Sequence, residues 1–342
     1  MIPPRWRLAL MQIRALTLRR AWNLGLVSLS YVLARTLHRP IHWGKPVTLG
    51  IEPTTACNLR CPQCPSGLRS FTRPTGRLSV ERFQALIDET HTHLWQLVLY
   101  FQGEPYLNPD FLEMVSYAHR RGLFTFSSTN AHFLTPEIAR QTVLSGLSHL
   151  IVSLDGLTQE TYAQYRVAGQ VDKVLEGLRN LTAAKRELKS HTPFIDLQFI
   201  VFEHNRHEVE AVRALGRELG VDQVSIKTAQ VYDFEQGNAL IPQDGRYSRY
   251  EPLPDGTWRI RNKLLNHCWK LWQGAEITWD GRVLPCCFDK DAQHEMGRFP
   301  EQSLAQIWQS APYRDFRARL TQGRKEIDIC RNCTEGTRIW SN

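Results

Sequence analysis

Acidic residues are missing from the start of this chain. Residues 1–51 contain no aspartate or glutamate, yet they carry Arg5, Arg7, Arg14, Arg19, Arg20, Arg35, Arg39 and Lys45. The other 34 of the 42 basic residues face 34 acidic ones, so the body is neutral. The net charge of +8 therefore describes the N-terminal stretch and says little about the rest. Cysteine is absent from residue 65 to residue 267; the eight cysteines fall into two groups, 57–64 and 268–333. That is too sparse for a small secreted disulfide scaffold. The clustering suits two metal sites in a reducing compartment, which implies a cytoplasmic protein. A long apolar run is lacking too. The longest, Ala21 to Ala34 (AWNLGLVSLSYVLA), is interrupted by Asn23, Gly25, Ser28 and Ser30 and is too short to span a bilayer. A basic start followed by an apolar stretch resembles a targeting peptide, but no small-residue cleavage site follows, so the segment reads as part of the mature protein. Its apolar positions form no single clean stripe. Two readings stay open: a helical extension packed on the body, or a helix on a membrane surface that makes the protein membrane-peripheral.

What is present is concentrated in eight residues, Cys57-Asn58-Leu59-Arg60-Cys61-Pro62-Gln63-Cys64. The spacing is C-x3-C-x2-C. Three thiolates this close can converge on one metal centre. Three is one short of the four that a closed [4Fe-4S] cluster or a structural zinc takes. Such a site leaves a coordination position open for chemistry.

Around this motif, strand and helix patterns alternate. Val47–Glu52 reads as a strand and Ser79 as the cap of a helix to about His91. Strands follow at 96–101, 123–127, 149–154, 195–202 and 223–227. Helices fall at 109–121, from Thr135 with Pro136 at its first position, at 171–188, and at 208–219 before Gly220. The rhythm predicts an α/β protein with a parallel sheet and right-handed crossovers. Six strands are too few for a full eight-stranded barrel, so the expected fold is a partial (β/α)6 TIM-like barrel with a small C-terminal cysteine-rich metal domain. The expected boundaries are a basic helical extension over 1–46, the barrel over 47–232, a connector over 233–266, and the cysteine-rich module over 267–342. In such folds the site lies at the C-terminal ends of the strands. The cysteines, Gly103-Glu104-Pro105, Thr129-Asn130 and Asp155-Gly156 all fall there.

The cysteine motif resembles the signature of the radical S-adenosylmethionine (radical SAM) superfamily. The resemblance implies that Cys57, Cys61 and Cys64 hold three irons of a [4Fe-4S] cluster, with S-adenosylmethionine chelating the fourth. It implies one-electron cleavage of the sulfonium to a 5′-deoxyadenosyl radical, with the protein supplying position and exclusion of water. Gln102-Gly103-Glu104-Pro105 looks like the family's glycine-rich motif, whose backbone and carboxylate would bind the methionine amino group. Thr129, Asn130, Ser153 and Asp155 sit where the family places ribose-binding polar groups. Arg166 and Lys227 are candidates for the ligand's carboxylate, against the alternative of an ordinary ion pair. One residue departs from the pattern: Gln63 stands where the family usually has an aromatic beside the adenine.

Cys268, Cys286, Cys287, Cys330 and Cys333 form the second group. Gly281-x4-Cys286, Cys268 before it and Cys330-x2-Cys333 after it resemble the SPASM extension of many radical SAM enzymes. That implies one closed auxiliary [4Fe-4S] cluster on Cys268, Cys286, Cys330 and Cys333, for electron relay or support of the substrate pocket. Cys287 reads as a buried apolar residue, with a ligand swap with Cys286 as the alternative. Spacing alone fits a zinc ribbon equally well. Trp269, Trp272 and Trp279 would either shield a cluster or pack a core.

The expected function is a radical SAM oxidoreductase that abstracts hydrogen from a peptide, a protein, or a small molecule such as a sugar or lipid-linked compound. Its electron donor would be a flavodoxin or ferredoxin. The rival is a zinc-stabilised nucleic-acid-binding protein with the arginine-rich tail on phosphate; it leaves the strand-end residues unexplained, and no nucleic-acid partner is expected. Tyr232, Asp233, Asp289 and Asp291 read as surface positions, so no residue is assigned as catalytic acid or base.

Overall fold

The computed structural model describes residues 3–336. Two helices open the chain, α1 (Pro4–Arg14) and α2 (Leu18–Leu37). The alternating part follows: β1 (Thr48–Ile51), α3 (Pro65–Leu68), α4 (Val80–Thr90), β2 (Gln96–Val98), α5 (Phe111–Arg120), β3 (Phe124–Thr129), α6 (Pro136–Leu144), β4 (His149–Ser153), α7 (Gln159–Tyr165), α8 (Val171–Glu187), β5 (Phe194–Val201), α9 (Val209–Leu219) and β6 (Gln223–Thr228). A hairpin, β7 (Tyr250–Pro252) with β8 (Trp258–Ile260), precedes α10 (Trp269–Gln273), β9 (Gly274–Ile277), β10 (Arg282–Leu284), β11 (Gly297–Arg298), α11 (Leu304–Trp308) and α12 (Ala311–Gly323).

Local chemistry sets the helix starts. Ser79 and Thr135 accept hydrogen bonds from the backbone N–H groups of Arg82 and Ile138, which would otherwise lack partners at the helix ends. Gly220 closes α9 in the left-handed conformation that glycine adopts without penalty. Helix α7 was not expected from the sequence. Its signal is there in Thr158 and Thr161, which cap it reciprocally. The β7–β8 hairpin lies inside the expected connector, and Pro254-Asp255-Gly256 marks its turn.

Strands β1 to β6 run parallel in sequence order. The sheet does not stop at β1. Strand β9 pairs parallel to it, with Leu49 opposite Ala275, and antiparallel β10 and β11 extend the same edge. Among the described residues the sheet therefore has nine strands, three of them from the cysteine-rich module. One buried apolar cluster joins Val27 and Tyr31 of α2, Leu49, Leu97, Leu150 and Leu197 of the sheet, and Trp272 and Trp308 of the module. Burying each such side chain contributes about 1.5–3 kcal/mol, so extension, barrel and module share one core.

Helices α1 and α2 lie across the N-terminal ends of the strands. Trp95, just before β2, donates its Nε1–H to the Gln12 carbonyl at 2.8 Å. Asn23 is bonded to Lys45 in both directions, at 3.0 and 2.8 Å. Arg20 is 3% exposed, and its guanidinium donates to the carbonyls of Ala15, His91 and Arg121 at 2.6, 2.8 and 3.0 Å, and to that of Gly122. These carbonyls close α1, α4 and α5, so one cation satisfies three helix C-termini. Arg7 pairs with Asp222 at 2.9 Å. Two of the tail's arginines are thus structural and not free for phosphate.

Candidate functional site

The strands enclose a cavity of about 1130 Å³. It is large for a small-molecule site, which is typically about 300–1,000 Å³. At the C-terminal ends of the strands it is lined by Cys57, Cys61 and Cys64, then by Gln102, Gly103 and Glu104, Thr129 and Asn130, Ser153, Arg166 and Lys227. The sheet brings all but Arg166 together from the ends of five strands; Arg166 comes from the C-terminal end of α7. Pro105 and Asp155 do not line it. Pro105 is buried and opens a tight turn beneath Glu104. Asp155 is fully buried; its carboxylate accepts from Arg166 Nε at 2.6 Å and from the Ile200 N–H at 2.8 Å. The expected ribose contact of Asp155 is therefore corrected: both its oxygens are engaged, and it acts by holding Arg166.

Glu104 is the buried carboxylate of the site, 2% exposed. It accepts from Thr129 Oγ1 at 2.7 Å and from the Asn130 N–H at 2.8 Å. Burial raises its pKa to about 7 against these bonds. A cation within reach of this carboxylate would hold it ionised. Beside it, Gly103 has no space for a side chain. Its N–H donates to Ser66 Oγ at 2.8 Å, and its φ is +74°. A Cβ there would lie 2.2 Å from the Thr54 carbonyl oxygen. Replacement of Gly103 by alanine is expected to weaken S-adenosylmethionine binding by about tenfold or more, because backbone strain alone costs roughly 1–2 kcal/mol. Equilibrium binding to the iron-loaded protein measures it; unchanged affinity would remove Gly103 from the site.

Burial pushes the Cys57 thiol up to about 12 and raises Cys61 as well. Bound iron would reverse that preference, since a metal holds thiolates outright. Burial opposes the charge of Arg166, but Asp155 and Cys61 outweigh it and raise its pKa. The guanidinium thus stays positive beside Cys61. Gln63 does not face an aromatic partner. Its amide accepts from the Tyr232 N–H at 2.9 Å and donates to Asp233 at 3.3 Å, tying the cysteine loop to the chain after β6. Tyr165, packed on Phe202 with centroids 4.1 Å apart, lines the cavity instead. Gln102 Oε1 is buried without a hydrogen-bond partner, as expected of a group that awaits a donor from a ligand.

The second cysteine group gathers beneath the cavity wall. Cys286 feels Cys268 and Cys333, and Cys330 and Cys333 feel Cys268. Arg324 is fully buried among them, with Nη2 3.4 Å from Cys333 Sγ; Nη1 donates to the His267 carbonyl at 3.0 Å. Burial opposes its charge, while Cys268, Cys333 and Cys330 raise its pKa. The sequence offered no sign of this cation, because Arg324 sits in an unremarked helical stretch. Among the described residues no three histidine, cysteine, aspartate or glutamate side chains converge where one metal ion could sit. A lone zinc needs four sulfurs about 2.3 Å from one point, whereas a cluster spreads its ligands over separate irons. Cysteine thiols beside a buried arginine are donors that an iron–sulfur cluster takes.

Cys287 faces the cavity, unlike Cys286. Its contact with Cys286 lowers its pKa, and Lys270 adds to this against burial. The expectation of a buried apolar residue is corrected: Lys270 and the cavity give Cys287 polar surroundings. Asp289 is also not a surface residue. It is 1% exposed and accepts from the Gln293 and His294 N–H groups at 2.8 Å. Tyr232 bonds to Lys290, Asp233 to Gln63, and Asp291 to Thr72. None of these four lines the cavity. Trp269 and Trp272 pack edge-on against Tyr31 in the core.

Residues 51–215 match the model of the radical SAM superfamily, and residues 268–334 match that of SPASM, an iron-sulfur cluster-binding domain. The PqqA peptide cyclase of Ruegeria pomeroyi is 26% identical over 310 residues, covering 84% of this chain and 79% of its own. The tungsten-containing aldehyde ferredoxin oxidoreductase cofactor-modifying protein of Pyrococcus furiosus is 25% identical over 299 residues, covering 79% and 82%. The structure of Streptococcus suis SuiB bound to S-adenosylmethionine shares the fold. It aligns with a TM-score of 0.63 at 13% identity, covering 90% of this chain and 76% of its own.

Proposed function

Since the chain belongs to the radical SAM superfamily and carries a C-terminal SPASM iron–sulfur domain, we propose that the cavity residues divide its work as follows. Cys57, Cys61 and Cys64 hold the [4Fe-4S] cluster with one open iron. Glu104 takes the ammonium of S-adenosylmethionine, Gly103 lets the backbone approach, and Arg166 and Lys227 take the carboxylate. Gln102, Thr129, Asn130 and Ser153 supply polar contacts to the rest. When bound, the cluster and S-adenosylmethionine supply a one-electron cleavage to the 5′-deoxyadenosyl radical, which abstracts a hydrogen atom from the substrate. Asp155 positions Arg166 and thereby the ligand carboxylate. Cys268, Cys286, Cys330 and Cys333 hold one auxiliary cluster, with Arg324 balancing its thiolates.

The observation that carries this reading is the buried Glu104 carboxylate, which shares one cavity wall with the three thiols. Among the described residues its hydrogen-bond donors are Thr129, Asn130 and Tyr106, none of them a cation, so a bound ammonium would complete it. The substrate is a peptide segment or a polar small molecule. The volume beyond the ligand leaves room for it, and Gln198, Asp196 and Ser225 make the deeper wall polar. The R. pomeroyi relative is named for a peptide and the P. furiosus relative for a cofactor. A flavodoxin- or ferredoxin-type donor supplies the electron. The zinc-stabilised nucleic-acid reading has no support in the comparisons, and Arg7 and Arg20 are already engaged.

Anaerobic reconstitution with iron and sulfide, followed by a reductant and S-adenosylmethionine, tests the proposal. The expected product is 5′-deoxyadenosine, at a rate that falls when Glu104→Ala is used. Fully loaded protein that releases none would overturn it.

A further inference from the structure

Nine of the fourteen large apolar side chains that are exposed among the described residues belong to residues 3–46. They are not scattered. On α1, Trp6, Leu10 and Ile13 are 57%, 42% and 60% exposed. Their spacing of four and three residues puts them on one face. The opposite face of α1 is used by the fold: Arg5, Leu8 and Gln12 line the cavity, and Arg7 pairs with Asp222. On α2, Leu18, Trp22 and Leu29 are 91%, 73% and 52% exposed. They sit at positions i, i+4 and i+11, again one face, while Asn23, Val27, Tyr31 and Ala34 face the core. The sequence hid this outer stripe because the buried face of α2 is apolar as well. That is why the sequence shows no single clean stripe: there are two, and burial separates them.

Both helices pack at the same end of the sheet. Each helix lies across the N-terminal ends of the strands through Trp95, Lys45, His91 and Arg121, which precede or end elements at that edge. The outer faces therefore form a floor opposite the cysteine end. Arg14, Arg19 and Arg35 are exposed beside the stripes, and no acidic residue occurs before Glu52.

We propose that this floor docks on the surface of an anionic lipid bilayer. No helix among the described residues is long and apolar enough to cross one. An apolar face with tryptophan, rimmed by arginine and lacking acids, suits the interface plane instead. A second copy of the chain fits worse, because it would set two arginine rims against each other. Docked this way, the mouth that holds Cys57, Cys61 and Cys64 faces the water. The proposal goes beyond the radical reading and does not depend on it, since binding needs no loaded cluster.

Vesicle co-sedimentation of the full chain tests it. Phosphatidylcholine vesicles with phosphatidylglycerol are expected to bind it about tenfold or more tightly than phosphatidylcholine alone, with the difference lost at high salt. The double variant Leu18→Glu/Trp22→Glu is expected to lose about tenfold or more of that binding, while keeping the thermal unfolding midpoint, because both side chains point away from the core. Leu144→Glu, 60% exposed elsewhere on the surface, is expected to bind as the parent does. No binding to either vesicle, or an unchanged Leu18→Glu/Trp22→Glu variant, would overturn the proposal. So would sedimentation velocity without lipid that shows a dimer which this variant dissociates, since the floor would then be a contact between copies.

Discussion

Replacing Cys61 by alanine is expected to abolish 5′-deoxyadenosine formation and to remove about four of about eight irons per chain. Cys61 is 5% exposed and sits under Arg166. A methyl group offers no lone pair, and the other two thiols of the motif are fixed on their own turn. The nearby Asp155 carboxylate does not replace the third ligand, because it is held by Arg166 and the Ile200 N–H. The auxiliary group is expected to stay, since its four cysteines lie in another segment. The paired variant Cys330→Ala should lose the other four irons instead. Iron and sulfide content, with product analysis on the same samples, reads both. Full iron and full activity in Cys61→Ala would show that the motif does not hold the cluster.

Arg73→Ala is expected to destabilise the fold by about 3–5 kcal/mol, because it strands a buried carboxylate. Glu52, at the end of β1, is 0% exposed and takes two charge-assisted hydrogen bonds from Arg73, at 2.8 and 2.6 Å. Arg73 also donates to the Lys290 carbonyl at 3.0 Å, so the pair pins the loop after the cysteine motif to the module. Burial already raises the Glu52 pKa, and the guanidinium partly offsets this. Without Arg73 the native carboxyl keeps a proton that the unfolded chain releases above its ordinary value of about 4.3. Stability of the variant should therefore fall as pH rises through that value. Denaturant midpoints at several pH values measure this. The pair Glu52→Leu/Arg73→Met is expected to recover most of the loss, since an apolar pair of similar volume leaves no charge behind. Loss below about 1 kcal/mol in Arg73→Ala would show that water reaches Glu52.

Some of this protein was readable from its residues in order. Cys57, Cys61 and Cys64 are ligand types at a spacing that one turn can close, so their meeting is a local matter. Ser79, Thr135 and Gly220 mark helix ends by their own side chains or backbone freedom. The alternation that predicts β1 to β6 is likewise a local periodicity. Helix α7 was missed although Thr158 and Thr161 signal it, because a seven-residue element is too short to show a period.

The rest depends on partners far away in the chain. Strand β9 lies beside β1 although more than two hundred residues separate Leu49 from Ala275, and short strands carry no address for such a neighbour. The role of Asp155 turns on Arg166 reaching it first. That Cys287 faces the cavity, and not Cys286, is visible only in the folded chain. Helix α2 is apolar on both sides, and only packing on Trp269 and Trp272 decides which stripe is core and which is surface. Ligand type, capping and periodicity are properties of neighbours in sequence, so the sequence alone determined the cysteine motif and the parallel barrel. Burial and pairing are properties of neighbours in space, so the tertiary structure alone decided the shared core, the working partner of each polar side chain, and the exposed floor.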